Sequence, residues 1–183
     1  LVTFFTIIPI NITIANTYMF RYKETNDRKD QDAAMAWFKK AQRIDPKDFR
    51  LYYGKGNALE MFDRPEEALR AYERALTISP DHPMVKENMA RAYNSQAYAL
   101  YLKGKDLKLG LQLVEKALSL KPHDGIYLST KAELLYKMGR YDEAYEYIKT
   151  AMAFGPDQDE MRQDKINIEK ALEESKSGVR RLK

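Results

Sequence analysis

Hydrophobic and small residues recur along the chain in a fixed order that ends at a proline. In the first copy, Ala34, Phe38, Ala41 and Ile44 lead to Pro46 with spacings of four, three, three and two. The same spacings recur three more times, in the sets Ala68, Tyr72, Ala75, Ile78, Pro80; Gly110, Val114, Ala117, Leu120, Pro122; and Ala144, Ile148, Ala151, Phe154, Pro156. Spacings of three and four place side chains on one face of a helix. Because proline cannot continue a helix, the pattern predicts four helices that each end just before one of these prolines.

The last three of these helices each have a predicted partner upstream that again carries small and apolar residues on one face: Gly56 and Leu59, Ala97 and Leu100, Ala132 and Leu135. The first repeat departs from this pattern, because Tyr22 and Lys23 stand where a small residue and its neighbour are expected. Gly104 and Gly139 mark turns between partners, and Asp63 stands where a third turn glycine is expected. The interval from Pro80 to Pro122 is eight residues longer than the other two, and seven of the extra residues precede Arg91. Seven residues are close to two helical turns. We therefore expect one long helix over about residues 83–103, with a longer loop as the alternative.

This repeated pattern resembles the tetratricopeptide repeat (TPR), a helix–turn–helix unit of 34 residues. The sequence Gly-Arg-Tyr-Asp-Glu-Ala at residues 139–144 is the clearest match. The resemblance implies an all-α superhelix of about 3.5 repeats over residues 15–156, with boundaries near 15–48, 49–82, 83–124 and 125–158. In the first repeat we expect both Trp37 and Phe38 to be buried.

A stack of repeats needs a cap, because a terminal unit cannot bury its own apolar face. Residues 159–176 fit a capping helix, followed by a basic tail at 177–183. Its apolar stripe would consist of Met161, Ile166, Ile168, Ala171 and Leu172.

The first 20 residues contain no Asp, Glu, Lys, Arg or His, whereas six basic residues lie between Arg21 and Lys40. Three interpretations compete for this N-terminal segment: a transmembrane helix, a helix docked in its own groove or a neighbouring copy's, and an added strand. We expect it to run as a helix into the first repeat, whose own first helix would cover about residues 15–26. The basic flank favours membrane attachment with the repeats in the cytoplasm.

In a TPR superhelix the first helix of each repeat lines a concave groove, so one face of each such helix is a candidate protein-binding surface. Here that face carries Arg50, Tyr53, Asn57, Glu60, Arg91, Asn94, Tyr98, Tyr101, Ser129, Glu133 and Tyr136. Tyrosine, asparagine and arginine suit peptide binding, although a solvated polar face is the alternative. We expect Tyr53, Asn57 and Tyr98 to contribute little to packing. The carboxylate clamp of chaperone-cofactor TPRs is not expected, because only Asn57 matches it.

Composition argues against catalysis. The chain has no cysteine and two histidines, so thiolate metal sites and cysteine nucleophiles are excluded. We predict no catalytic residue, no metal and no cofactor. Its net charge of +4 is interleaved with acid, so nucleic acid is not a predicted partner. The prediction is a membrane-anchored, non-catalytic adaptor or scaffold for a protein or peptide partner. The alternative is a structural subunit whose N-terminal segment drives self-assembly or incorporation into a larger complex.

Overall fold

The computed structural model describes residues 2–155 and 158–181. Within these ranges the structure is all-α, with no strand, and its helices are α1 (Val2–Thr25), α2 (Arg28–Ile44), α3 (Phe49–Met61), α4 (Pro65–Ile78), α5 (Pro83–Lys103), α6 (Leu107–Leu120), α7 (Gly125–Lys137), α8 (Tyr141–Phe154) and α9 (Gln158–Arg181). The all-α prediction is confirmed. Helices α2, α4 and α6 end two residues before Pro46, Pro80 and Pro122. The fourth repeat proline, Pro156, lies outside the described residues.

Local sequence explains where the helices begin and turn. The side chains of Asp27, Asp48 and Asp124 accept backbone N–H groups at the starts of α2, α3 and α7, which satisfies donors that have no partner within the helix. Gly104 and Gly139 have φ angles of +61° and +74°, a left-handed conformation that glycine adopts without strain. Both predicted turn glycines are therefore confirmed.

Consecutive helices pack against each other as helical hairpins: α1 with α2, α3 with α4, and α7 with α8. Ala34, Ala68 and Ala144 are fully buried between them, as the spacing predicts for residues that let two helices approach closely. The predicted long helix is confirmed as α5. Packing divides the chain into two compact units at the bond between Ala92 and Tyr93, within α5, and each unit is described separately below.

The N-terminal segment is helical and continues without a break into the first repeat, so the strand interpretation is wrong. Asn11, Ile12, Ala15 and Met19 are buried in the part of the chain where α1 packs against α2 and α3. None of the described helices has both the length and the apolar character that crossing a bilayer requires.

Two burial predictions are wrong. Phe38 is buried but Trp37 is only half-buried, because its neighbour takes the inward position on α2, and the Lys40 ammonium lies 3.8 Å from the Trp37 ring centre. On α9, Met161 and Ile168 are buried seven residues apart on one face, whereas Ile166 is 56% exposed. Ile166 is two residues from Ile168, which turns it to the far side of the helix.

The end of α9 also differs from the prediction. We expected the capping helix to stop before the tail at residue 177, yet α9 runs on to Arg181. One glycine in a helix interior costs only about 1 kcal/mol, so residue 178 is a weak stop signal by itself. The remainder of the predicted basic tail, residues 182–183, lies outside the described residues.

Candidate functional site

In the first unit, the groove-facing side chains of α3 form hydrogen bonds with α4 and α5. The Tyr72 hydroxyl lies 2.8 Å from Asn57 Oδ1 and is also hydrogen-bonded to the Glu60 carboxylate. Asn88 Nδ2 donates to Asn57 Oδ1 at 2.8 Å and to the Tyr53 hydroxyl at 3.2 Å. We call these five residues the polar cluster. Because they come from three helices, the polar cluster ties the second repeat to the start of the long helix.

Burial and charge keep the hydroxyl at the centre of the polar cluster protonated. Tyr72 is fully buried, and burial together with the nearby Glu60 carboxylate raises the pKa of the Tyr72 phenol. It therefore stays a hydrogen-bond donor at any physiological pH.

Two arginines flank the polar cluster with most of their side chains in solvent. Arg50 pairs with Asp48, the capping residue of α3, through bonds of 2.7–3.1 Å. Arg91 lies 3.6 Å from the Glu60 carboxylate. Their side chains are 56% and 57% exposed, so both guanidinium groups are accessible to a partner beside the polar cluster.

The polar cluster changes the role assigned to two predicted groove residues. Tyr53 and Asn57 were expected to contribute little to packing, but both are bonded to α5, and Asn57 is bonded to α4 as well. Asn88 was not among the predicted site residues, because nothing in the spacing links it to Asn57 and Tyr53, which lie 31 and 35 positions earlier in the chain. This face of the first unit is thus partly occupied by the protein's own hydrogen bonds.

The second unit contains an open cleft between α5, α7 and α9, with a volume of about 310 Å³. Four predicted groove residues line it together: Asn94, Tyr98, Ser129 and Glu133. Helix α9 adds Glu160 and Met161, which sequence reasoning assigned to the cap alone. We call this the acidic cleft, and we define it by these six residues.

Carboxyl groups crowd the acidic cleft. Burial, together with the negative charges of Asp164 and Glu160, raises the pKa of Glu133 to about 8, while Lys137 acts in the opposite direction. Burial, with Glu160 as a second cause, also raises the pKa of Asp164. Burial and the same carboxylates raise the pKa of Tyr101 to about 12. The acidic cleft therefore disfavours additional negative charge.

The remaining predicted residues of this unit, Tyr101 and Tyr136, are not part of the lining of the acidic cleft. The centres of the Tyr101 and Tyr98 rings are 5.6 Å apart, and the Lys137 ammonium lies 4.2 Å from the centre of the Tyr101 ring. Tyr136 is half-buried, with its ring 5.7 Å from that of Tyr141. Of the eleven predicted groove residues, three thus belong to the polar cluster of the first unit, four line the acidic cleft of the second, and four belong to neither.

Comparisons with known proteins agree with this architecture. Three family models, each describing a tetratricopeptide repeat, match residues 27–48, 49–82 and 101–164. Among curated proteins, the chain is similar to anaphase-promoting complex subunit 3 of Schizosaccharomyces pombe, with 21% identity over 151 residues. That match covers 82% of this chain but 22% of the relative, so the chain spans about a fifth of that protein's length.

Solved structures of the protein MamA share the fold. One MamA crystal structure has a TM-score of 0.53 and 22% identity, and covers 80% of this chain and 72% of that one. MamA from Desulfovibrio magneticus RS-1, from residue 41 to its end, has a TM-score of 0.53 and 17% identity, with coverages of 93% and 96%. At these identities the likeness concerns the fold alone. Helix pairs, turn residues and repeat matches agree, and the chain belongs to the tetratricopeptide repeat family.

Proposed function

We propose that this protein is a non-catalytic scaffold that binds a segment of a partner protein through the acidic cleft of its second unit. The observation that carries the proposal is the acidic cleft, which is open, polar and aromatic, and is built from side chains of three helices. Its volume of about 310 Å³ lies at the lower end of the range for ligand sites, which suits one or two side chains of a peptide.

The surroundings of the acidic cleft support a peptide ligand. Tyr98 is 37% exposed, so its ring offers stacking area to a partner. Ser129 is half-buried in the wall, and its hydroxyl can accept or donate a hydrogen bond. In the first unit, the exposed guanidinium groups of Arg50 and Arg91 are separate candidate contacts for a partner protein.

A peptide library displayed on phage, selected against the full chain, tests this proposal. Ser129→Arg places a long side chain in the acidic cleft and should reduce capture of the selected peptides at least tenfold. Ser119→Arg is the matched control, because Ser119 is exposed on α6 in the same unit and does not line the cleft. Equal capture by both variants, with unchanged thermal midpoints, would refute the acidic cleft as the binding site.

Membrane attachment through residues 1–20, with the repeats in the cytoplasm, is a second part of the proposal. Ile10 and Phe20 on α1 support it, because they are large apolar side chains that are 53% and 59% exposed. A bilayer span needs about 20 apolar residues, whereas four residues between positions 11 and 19 are buried in the first repeat. We therefore propose that this stretch contacts the membrane interface rather than crossing it.

Flotation with anionic lipid vesicles tests this attachment. The full chain should float with the vesicles, and the double variant Ile10→Asp, Phe20→Asp should not. If the full chain stays in solution as a defined oligomer and the double variant is monomeric, the structural-subunit alternative replaces membrane attachment. A chain that neither floats nor self-associates excludes both.

A further inference from the structure

The carboxyl group of Glu133, which lines the acidic cleft, faces two other carboxyl groups. Glu133 on α7 faces Glu160 and Asp164 on α9, which are four residues apart and thus on one side of that helix. Lys137 is the cation that acts on Glu133, yet its ammonium donates to the Tyr101 carbonyl at 2.7 Å and lies over the Tyr101 ring. The Lys137 ammonium is therefore directed to Tyr101, although its charge still acts on Glu133.

A second, independent observation concerns Asn94. It lines the acidic cleft from α5 and is 8% exposed, and its Oδ1 atom is buried without a hydrogen-bond partner. Buried acceptors in folded proteins are almost always paired. An unpaired amide oxygen in the wall of an open cleft indicates a place for a donor from a ligand.

The cleft thus combines an amide acceptor, carboxylates and an aromatic face. An arginine side chain matches this set, because its guanidinium carries five N–H donors, pairs with carboxylates and stacks on aromatic rings. We propose that the acidic cleft binds an arginine side chain from a segment of a partner protein, with Asn94, Glu133 and Glu160 as acceptors and Tyr98 as the stacking surface. This inference rests on the proposed function and deepens it by naming the chemistry of the ligand.

A metal ion is a weaker match to the same groups. Within the described residues, no group of three or more histidine, cysteine, aspartate and glutamate side chains is arranged to hold a metal. Guanidinium, by contrast, needs acceptors spread along a flat surface rather than converging on one point.

Proton release gives this binding a distinctive readout. The charged groups that face Glu133 are Glu160 and Asp164 on α9 and Lys137 on its own helix, with the phenols of Tyr98 and Tyr101 on α5. Since the pKa of Glu133 is raised to about 8, much of this carboxyl is protonated at pH 7. A bound guanidinium favours the carboxylate, so binding should release protons at pH 7 and strengthen as the pH rises towards 9.

The test uses the full chain and an acetylated, amidated pentapeptide with one arginine between alanines. Nuclear magnetic resonance titration should shift the backbone signals of Ser129 and Glu133. The same peptide with citrulline, which is neutral and nearly the same shape, should bind at least tenfold more weakly, which is 1.4 kcal/mol. A lysine peptide measures how much of the affinity comes from charge alone.

Variants locate the effect. Glu133→Gln should weaken arginine binding at least tenfold, whereas Glu146→Gln, at a carboxyl on α8 that is 69% exposed, should leave it unchanged. Asn94→Leu should weaken binding at least fivefold without lowering the thermal midpoint, because it removes an unpaired acceptor. A lower midpoint with unchanged binding would mean that Asn94 is structural, and would overturn its role here.

The outcomes separate this inference from the proposed function. If selected peptides need an open cleft, as Ser129→Arg reveals, but arginine and citrulline bind alike, the arginine inference is wrong and the scaffold function stands. If Ca²⁺ or Mg²⁺ alone shifts the same signals and displaces the arginine peptide, the cleft is a cation site and the inference is also wrong. If no peptide is captured, or if Ser129→Arg captures the selected peptides as well as the wild type does, both the proposed function and the arginine inference fail.

Discussion

Replacing Glu133 with glutamine should make the protein clearly more stable at alkaline pH and have only a small effect at pH 5. Burial raises the pKa of Glu133 from 4.5 to about 8, so between these values the folded protein holds a proton that the unfolded chain has released. Stability falls with rising pH wherever the folded state binds more protons. The wild-type protein therefore loses stability as the pH rises through this window, and the glutamine variant does not lose this contribution.

The magnitude follows from the width of the window. One pKa unit corresponds to 1.36 kcal/mol, so the full gap sets an upper limit of roughly 5 kcal/mol. Glu133 is only half-buried and lines an open cleft, so solvent screens its charge and we expect about 2 kcal/mol at pH 9. The pKa of Asp164 is also raised, but that carboxyl is present in both proteins, and the difference between them isolates Glu133.

Urea unfolding at pH 5, 7 and 9, followed by circular dichroism at 222 nm, measures the difference. Urea is preferable to guanidinium chloride because it adds no ionic strength. Glu146→Gln is the control and should follow the wild type at every pH, since its carboxyl is mostly in solvent. A Glu133→Gln variant whose advantage is the same at pH 5 as at pH 9 would show that the carboxyl is not buried as a charge.

Three further expectations concern the first unit. Gly56→Ala should destabilise it by about 1–2 kcal/mol in thermal melts, because the added methyl would lie within 3.0 Å of the Tyr72 ring and this overpacking outweighs the gain in helix propensity. Gly54→Ala is the matched control and should be nearly neutral, since its closest contact would be 3.3 Å; equal losses in both would contradict the packing argument. Tyr72→Phe should cost about 1–2 kcal/mol, because it removes the hydroxyl at the centre of the polar cluster; an unchanged urea midpoint would contradict this. Arg21 hydrogen-bonds to the buried Asp30 and lowers the pKa of that carboxyl, so wild-type stability should fall as the pH drops from 5 to 3, and Asp30→Asn should show a smaller fall.

The repeats could be predicted from sequence because their pattern is local and redundant. Each helix that ends before a repeat proline carries the same four positions, and a helix is the one regular structure that puts spacings of four and three on one face. Gly104 and Gly139 added an independent signal, since their left-handed backbone is unstrained only for glycine. The length of helix α5 could be predicted because the seven extra residues before Arg91 correspond to about two helical turns.

Burial at single positions was less predictable. Trp37 and Phe38 are adjacent and both aromatic, so composition and spacing treat them alike, but only one can point straight at the neighbouring helix. The register that decides between them depends on how α2 sits against α1 and α3. Ile166 on α9 was misassigned for the same reason.

Only part of the acidic cleft could be predicted from the sequence, because the residues that line it are far apart along the chain. Asn94, Tyr98 and Ser129 belong to the predicted groove, but Glu160 comes from the cap and changes the chemistry of the site from mixed polar to acidic. Cap helices are assigned by their apolar stripe, and that stripe carries no information about what the polar residues beside it, such as Glu160, will contact.

Two asparagines show why periodicity alone cannot separate packing from binding. Asn57 and Asn94 both lie on groove-facing positions of their helices, and spacing gives them the same status. Asn57 Oδ1 lies within hydrogen-bond distance of donors on two other helices, so this side chain serves the packing of the repeat. Asn94 Oδ1 is buried without a partner, and this is the observation behind its proposed role in binding. The two asparagines therefore differ in whether their hydrogen bonds are satisfied and not in their place in the repeat, and only the three-dimensional arrangement of neighbouring helices reveals this difference.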